Sequence, residues 1–478
     1  MRLAAVVLAL SLFAGVDARA EEVDPPGVAG RIAHVEGAVA LQTGEPPQWS
    51  PAPLNYPVTS GMALWTPPQA RAELELPGAT VRLDGETELA IVTLNDSETR
   101  LRLVQGNMNL VVHSVDNGPL LVETPKGVVE VVRAGVYRVT AGADMVQVAV
   151  LDGAARFDGE RDFIDLNTGD AVEAIGEPAA LNSMAARRTP FDDWALAREQ
   201  PGQPSQTAQY VSPDVPGHRA LDRAGTWAQE PQYGPVWYPQ AVPVEWAPYR
   251  HGHWAWVAPW GWTWIDDQPW GFAPFHYGRW VQIGQRWAWR PDDRRARPVY
   301  APALVVFIGN NFHLGHGGGH AGNRHRVPAV GWVPLAPREA YRPPYRSSAH
   351  YVRRVNHVTV NNIAINNIEV NRPAREFRNF RAATVVPASA MRNAMAVAPE
   401  ARRVHGDAIG ALNEARADNA IGGLRPTPAA RAGVQVGRGG DARAGGNPGR
   451  PLANTPSAVP VAPAPPMNGV WLCDSRST

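Results

Sequence analysis

The sequence predicts a mainly β protein in three parts: a β domain with the strand spacing of a sandwich or short β-solenoid, a Trp-rich antiparallel β module, and a disordered tail. Three observations predict it. Short apolar stretches with period-2 alternation, such as Ala72–Leu76 (AELEL), recur between Gly, Asp and Asn from about 27 to 180. Indoles crowd into Trp246–Trp264, WAPYRHGHWAWVAPWGWTW, and the pattern there repeats. Beyond Pro399 periodicity gives way to Gly, Pro, Ala and Arg.

The elements follow in order. Residues 1–20, MRLAAVVLALSLFAGVDARA, have an early Arg, an apolar run from Leu3 to Val16 and an Ala18-Arg19-Ala20 cleavage pattern. They are expected to be a secretory signal peptide. No later apolar run approaches the roughly 20 residues of a membrane helix, so the mature chain is expected to have no transmembrane segment. Cys473 is the single cysteine and cannot form an internal disulfide. Formal net charge is zero, which gives no global attraction to nucleic acid. In the β domain, Val81–Leu83, Leu89–Val92, Leu101–Val104, Met108–Val112, Leu120–Glu123, Val128–Val132, Val136–Thr140, Val146–Leu151 and Ala155–Phe157 read as strands. Gln105-Gly106-Asn107 reads as a hairpin turn, because Gly and Asn accept positive φ. Residues 188–200 read as a short helix. Thr189 would cap it, Pro190 would open the first turn, and Asp192 and Asp193 would lie at its positive end.

Several pieces carry a resemblance in order and spacing: GRIAHVEGAVAL, TSGMALWTPPQARAELELPGATVRL, LRLVQGNMNL, VETPKGVVEVVRAGVYRV, VQVAVLDGAARF and IDLNTGDAV. Together they resemble the FecR-type periplasmic domain across most of residues 27–180. The resemblance implies a β fold and a link to envelope signalling. Members of that family sense an occupied outer-membrane receptor and signal to a sigma factor. With the expected cleavable leader and no expected membrane span, this chain would depart from their layout, so direct sigma-factor contact is not expected.

The Trp-rich module, residues 230–345, contains a repeat. Ala247–Trp254 (APYRHGHW) aligns with Ala273–Trp280 (APFHYGRW), and Trp262-Thr263-Trp264 aligns with Trp287-Ala288-Trp289. Each unit reads as a hairpin or three-strand meander, with both indoles of Trp-x-Trp on one strand face. So short a unit buries little surface by itself, and an aromatic ring buries roughly 150–250 Å². Most of these indoles are therefore expected in the core. Tyr233, Trp237, Tyr238 and Trp246, set among prolines, are the candidates for an exposed aromatic platform that would bind sugar rings or Pro-rich peptide. The run YGPVWYP … HYGRW … WVPLAPRE resembles a family of uncharacterised exported bacterial proteins in which a FecR-type domain precedes such a module.

Other constellations bear on chemistry. His313, His316, His320 and His325 lie in NNFHLGHGGGHAGNRH and are candidate metal ligands, with a solvated loop as the plainer reading. Asp266-Asp267 and Asp292-Asp293 could serve as a carboxylate pair, but acidic residues in turns commonly bond their own backbone. Residues 346–398 include an Asn-rich run with a five-residue repeat from Val355 to Asn371, expected to be extended. Residues 399–478 form a low-complexity basic tail, largely disordered from 420 on after a helical stretch at Glu400–Ala417. The resulting expectation is a non-enzymatic, exported, periplasmic or secreted protein without cofactors. It would act in binding or scaffolding, with an envelope protein or cell-wall glycan as partner. The alternatives are a glycan binder using exposed Trp, and an envelope-signalling component without sigma-factor contact.

Overall fold

The protein is described by a computed structural model covering residues 24–44, 47–199, 205–308, 313–315, 326–357, 373–401 and 420–436. The leader 1–20 and Cys473 lie outside the described residues. The chain is mainly β, as its alternating pattern predicts.

Strands from Gly30–Glu36 to Ala180–Ala185 join in one 15-stranded sheet. Its described pairings are antiparallel except for Leu120–Thr124 against Thr99–Val112. Side-chain alternation divides the sheet into two faces. Ile32, Ala72, Leu74, Leu76, Val81, Leu83 and Val139 are buried in the apolar core. The interleaved residues Arg31, Glu73, Arg82 and Arg138 are polar, and they too are buried. The alternation in AELEL thus reads correctly as a strand, but its glutamate side does not face water. A helix and the Trp-rich module cover it, and opposite charges on neighbouring strands neutralise it. Glu73 sits directly opposite Arg82, and Arg31 opposite Glu75.

The expected hairpin at Gln105-Gly106-Asn107 is absent. Thr99–Val112 is one continuous strand that changes partner at this point. Up to Gln105 it pairs with Thr87–Leu94, and from Met108 on with Ala79–Leu83. Gly106 has φ +97°, and a Cβ there would stand 2.3 Å from Thr87 Oγ1 and 2.5 Å from Thr87 Cα. The left-handed glycine inferred from sequence is real, but it bends a strand instead of reversing the chain. Gly106→Ala is expected to cost about 2–3 kcal/mol, combining unfavourable φ with a backbone clash. Urea unfolding checks this; an unchanged midpoint would refute the close approach. Two neighbouring pairs of expected strands also merge, into Gly127–Ala141 and Met145–Gly159, paired with register shifts between Val131 and Tyr137.

Helix Pro190–Glu199 forms where its capping residues predict. The Asp192 amide donates to Thr189 Oγ1 (3.3 Å), and the Thr189 amide donates to Asp192 Oδ2 (2.8 Å), a reciprocal cap. Asp192 is fully buried and pairs with Arg138, pinning the helix over the polar sheet face. Phe191 and Ala195 supply the buried apolar contacts.

Both repeat units of the module are hairpins. Gly252–Val257 pairs with Gly261–Asp266, and Arg279–Ile283 with Arg286–Arg290. Equivalent indoles occupy equivalent registers: Trp254 lies opposite Trp264, and Trp280 opposite Trp289. All four are buried. Trp254 meets Trp264 edge-on at 5.5 Å and Trp332 edge-on at 5.2 Å. The second hairpin belongs to a four-stranded sheet that begins earlier than expected, ordered Gly225–Glu230, Gly234–Pro239, Arg286–Arg290, Arg279–Ile283. A further sheet contains Val305–Ile308, Arg326–Pro334, His313–Gly315 and Thr384–Pro387. Module and β domain share a single apolar core, running from Val28 and Leu74 to Trp254 and Trp332.

Two expectations for the C-terminal third need correction. Val355, Asn356 and His357 end a helix, Ala349–His357, instead of starting an extended run. Tyr351 and Val355, four residues apart, are both buried in one apolar cluster, and that packing overrides local β preference. Residues 358–372 lie outside the described residues. Residues 420–436, expected to be disordered, pack against both domains: Ile421 and Ala430 are buried, Ser50 Oγ donates to Ala432 O (3.2 Å), and Trp262 Nε1 donates to Leu424 O (3.1 Å).

Candidate binding cleft

The aromatic platform expected from sequence is not on the surface. Trp237 is fully buried, donates Nε1–H to Leu221 O (3.1 Å) and meets Trp270 edge-on at 5.0 Å. Trp246 is 4% exposed and packs on Trp270 and Trp280. Tyr238 is buried, donates to Glu230 (2.5 Å) and lies under the Arg286 guanidinium. Tyr233 is half-buried at a hairpin tip, with Arg378 5.5 Å from its ring. Proline-flanked indoles here are core because each ring buries more apolar surface than an aliphatic side chain could at the same position. Of the candidate metal ligands, His313 lies in a strand opposite Pro328, while His316, His320 and His325 lie outside the described residues. Among the described residues no group of three or more His, Cys, Asp or Glu is placed to hold a metal.

Three of the paired aspartates hold backbone structure, two of them in their own turns. Asp266 accepts from Trp264 Nε1 (3.1 Å) and the Gln268 amide (3.0 Å), and burial pushes its carboxyl well above the usual range. Asp292 accepts from the Gly278 amide (3.0 Å), and Asp293 from the Arg295 amide (3.0 Å).

What the fold does assemble is a cleft of about 990 Å³ between the polar face of the β domain, helix Pro190–Glu199 and the start of the module. Its charged floor is a chain of ion pairs. Arg82, 2% exposed, donates Nε–H to Glu73 (2.7 Å) and Nη2–H to Glu199 (2.6 Å). Arg198 shares Glu73 (2.9 Å), and Arg219 shares Glu199 (2.5 Å). Three guanidinium groups thus divide two carboxylates. Arg82 Nη1 is buried with no hydrogen-bond partner among the described residues. Burial, opposed by Arg82 and Arg219, leaves the Glu199 carboxyl below its usual range. Burial and then Arg219 push His113 down to about 4. Trp227 lines the same cleft from the module, half-buried and donating to Thr207 Oγ1 (3.0 Å). Arg82, Arg198, Arg219 and Trp227 were not singled out from sequence. The available signal was the charge on alternate residues of adjacent strands, Glu73 and Arg82.

A second inter-domain contact lies apart from the cleft lining. Segment 420–436 crosses from the module hairpin to the strand Gln48–Pro51. His253 Nε2 hydrogen-bonds with Gly433 O (3.1 Å), and burial holds the imidazole down near 4. Gly433 has φ +70° and lies against Tyr56, where a Cβ would come within 2.3 Å of the ring. Gly433→Val is expected to detach the segment, increasing trypsin cleavage after Arg431 by about tenfold at unchanged far-UV circular dichroism. An unchanged cleavage rate would show that the segment does not depend on this approach.

Residues 62–156 match the family model described as FecR protein, and residues 218–339 match the family of unknown function DUF6600. Among solved structures, the chain is similar to a candidate anti-sigma factor from Parabacteroides distasonis ATCC 8503. The two crystal structures of it give 16% and 17% identity, each over 28% of this chain, with a TM-score of 0.26. The chain spans 64% and 63% of the length of those solved chains. No curated protein matches it. The chain thus contains a FecR-type domain and, C-terminal to it, a Trp-rich module of the DUF6600 type.

Proposed function

We propose that this is a non-enzymatic, exported envelope protein that works by binding or scaffolding, with the inter-domain cleft as its binding site and a role connected to envelope signalling. The observation that carries the reading is the cleft itself. Its walls come from both the FecR-type domain and the module, and its charged floor is buried and polar where a merely packed interface would be apolar. The FecR-type domain supports association with the envelope and with signalling. The backbone hydrogen bonds accepted by Asp266, Asp292 and Asp293 support a non-enzymatic reading. Burial of Trp237 and Trp246 removes the surface on which glycan binding through exposed indoles rested.

The test is photo-crosslinking in living cells. A crosslinking residue replaces Arg223, which lines the cleft, or Phe163, which is 61% exposed and outside its lining. Recovery in the envelope fraction with a crosslink from position 223 alone is expected. Cytoplasmic recovery, or identical products from both positions, would overturn the reading.

A further inference from the structure

Strand Gly225–Glu230 is the terminal strand of its four-stranded sheet and carries hydrogen-bonding groups toward the cleft. Its phase is fixed at one end. The Gln240 amide donates to Ala224 O (2.8 Å), so Ala224 and Gln240 face each other as a bonded pair. Bonded and non-bonded pairs alternate in an antiparallel ladder. Thr226/Tyr238 and Ala228/Val236 are then bonded pairs, while Gly225, Trp227 and Gln229 stand opposite Pro239, Trp237 and Pro235 at non-bonded positions. The two prolines agree with this phase, since they have no amide hydrogen to give. The N–H and C=O of Gly225, Trp227 and Gln229 therefore point away from the sheet. Gly225 and Trp227 line the cleft, as do Arg219 and Arg223 just before the strand.

Edge strands are commonly protected by proline, lysine or an inward-pointing charge. Gly-Thr-Trp-Ala-Gln carries none of these before Glu230. The electrostatics add a second constraint. Across the lining five arginines, Arg31, Arg82, Arg198, Arg219 and Arg223, exceed four carboxylates, Glu73, Glu75, Glu199 and Asp222, and Arg198 and Arg219 keep 30% and 42% of their side-chain surface exposed.

We infer that the cleft takes an extended acidic peptide, which adds as a fifth strand along Gly225–Glu230 and sets carboxylates against Arg219 and Arg223. Main-chain bonds to Trp227 and Gln229 would supply register, and the arginines would select charge. The inference rests on the reading of the cleft as the binding site and names its occupant.

The test is calorimetric titration of the full chain with four probes: a peptide of alternating Glu and Val, its Gln-for-Glu counterpart, the acidic peptide N-methylated at alternate amides, and oligogalacturonate. The acidic peptide is expected to bind. N-methylation on the edge-facing register and Gln for Glu are each expected to weaken binding about tenfold or more. Gln229→Pro should abolish binding without moving the unfolding midpoint, because that amide lies outside the ladder. Arg219→Gln, on an exposed side chain, should weaken binding about tenfold and serves if the proline variant does not fold. Equal binding of N-methylated and parent peptides, or preference for oligogalacturonate, overturns the inference. So does absence of peptide binding while crosslinks from position 223 persist, an outcome that leaves the cleft reading intact. Loss of those crosslinks ends both.

Discussion

Replacing Trp237 and Trp246 together by alanine is expected to unfold the protein instead of weakening a ligand. Each indole is buried, and each packs against Trp270, at 5.0 Å and 5.9 Å between ring centres. Truncating one such side chain costs about 3–5 kcal/mol through lost burial and the cavity left behind. Two of them approach the roughly 5–15 kcal/mol that holds a typical domain folded. The losses will not simply add, because both rings pack on Trp270. Guanidinium unfolding followed by circular dichroism checks this, with Trp256→Ala as the control. Trp256 is only half-buried and meets Trp262 edge-on at 5.5 Å, so its loss should cost about 1–2 kcal/mol. The shared core adds a consequence: loss in the module should carry the FecR-type domain with it in one transition. A folded double variant would mean that these rings are not what fills the module.

The local pattern was readable because period-2 alternation and Trp-x-Trp spacing are properties of a strand by itself. It became ambiguous where one signal serves two geometries. Gly106 announces positive φ, and positive φ suits a reversal or a bend; only the positions of Thr87–Leu94 and Ala79–Leu83 decide between them. Helix Ala349–His357 shows the opposite limit. Its Val and Asn content argues for an extended chain, and the buried pair Tyr351 and Val355 decides otherwise. In the segment 420–436, low complexity concealed a fit. Small residues such as Ala430 and Gly433 are what a close approach to Tyr56 and to the first hairpin requires.

The cleft was less legible than the fold, for a physical reason. Alternation identifies which residues leave the apolar face, but it does not say whether water or another part of the chain meets them. Glu73, Glu75, Arg31 and Arg82 have the pattern of a solvated strand face. They become a buried ionic floor only because residues 190–199 and 217–270 fold over them. The same error in reverse put Trp237 and Trp246 outside: neighbouring prolines suggest exposed chain, and the side chains between them are nevertheless the largest available filling.

The pair Arg31–Glu75 should make the contact between domain and module sensitive to acid. Burial by itself would raise the Glu75 carboxyl, but the Arg31 guanidinium at 2.9 Å and the Gly217 amide at 2.5 Å bring it down to about 2. Arg31 also donates to Pro269 O (3.1 Å) and to Asn55 Oδ1 (3.0 Å). Asn55 in turn donates to Asp266 O (3.0 Å) and Gln268 O (2.6 Å). A carboxylate with a lowered folded value stabilises fully above its unfolded value and loses that contribution as pH falls through the folded one. A fall from 4.5 to about 2 corresponds to roughly 3 kcal/mol, present above about pH 5 and gone near pH 2. Asp266 has the opposite sign, because its folded value is raised and acid favours its neutral buried form. The wild-type curve therefore mixes two slopes, and only the difference from Glu75→Gln isolates the pair. At neutral pH that variant leaves Arg31, 3% exposed, without its carboxylate and should cost about 3–5 kcal/mol. Urea unfolding across this range should show the gap between wild type and variant narrowing as pH falls. A gap that stays constant would mean that Glu75 holds Gly217 and Arg31 by hydrogen-bond geometry alone, with no charge at stake.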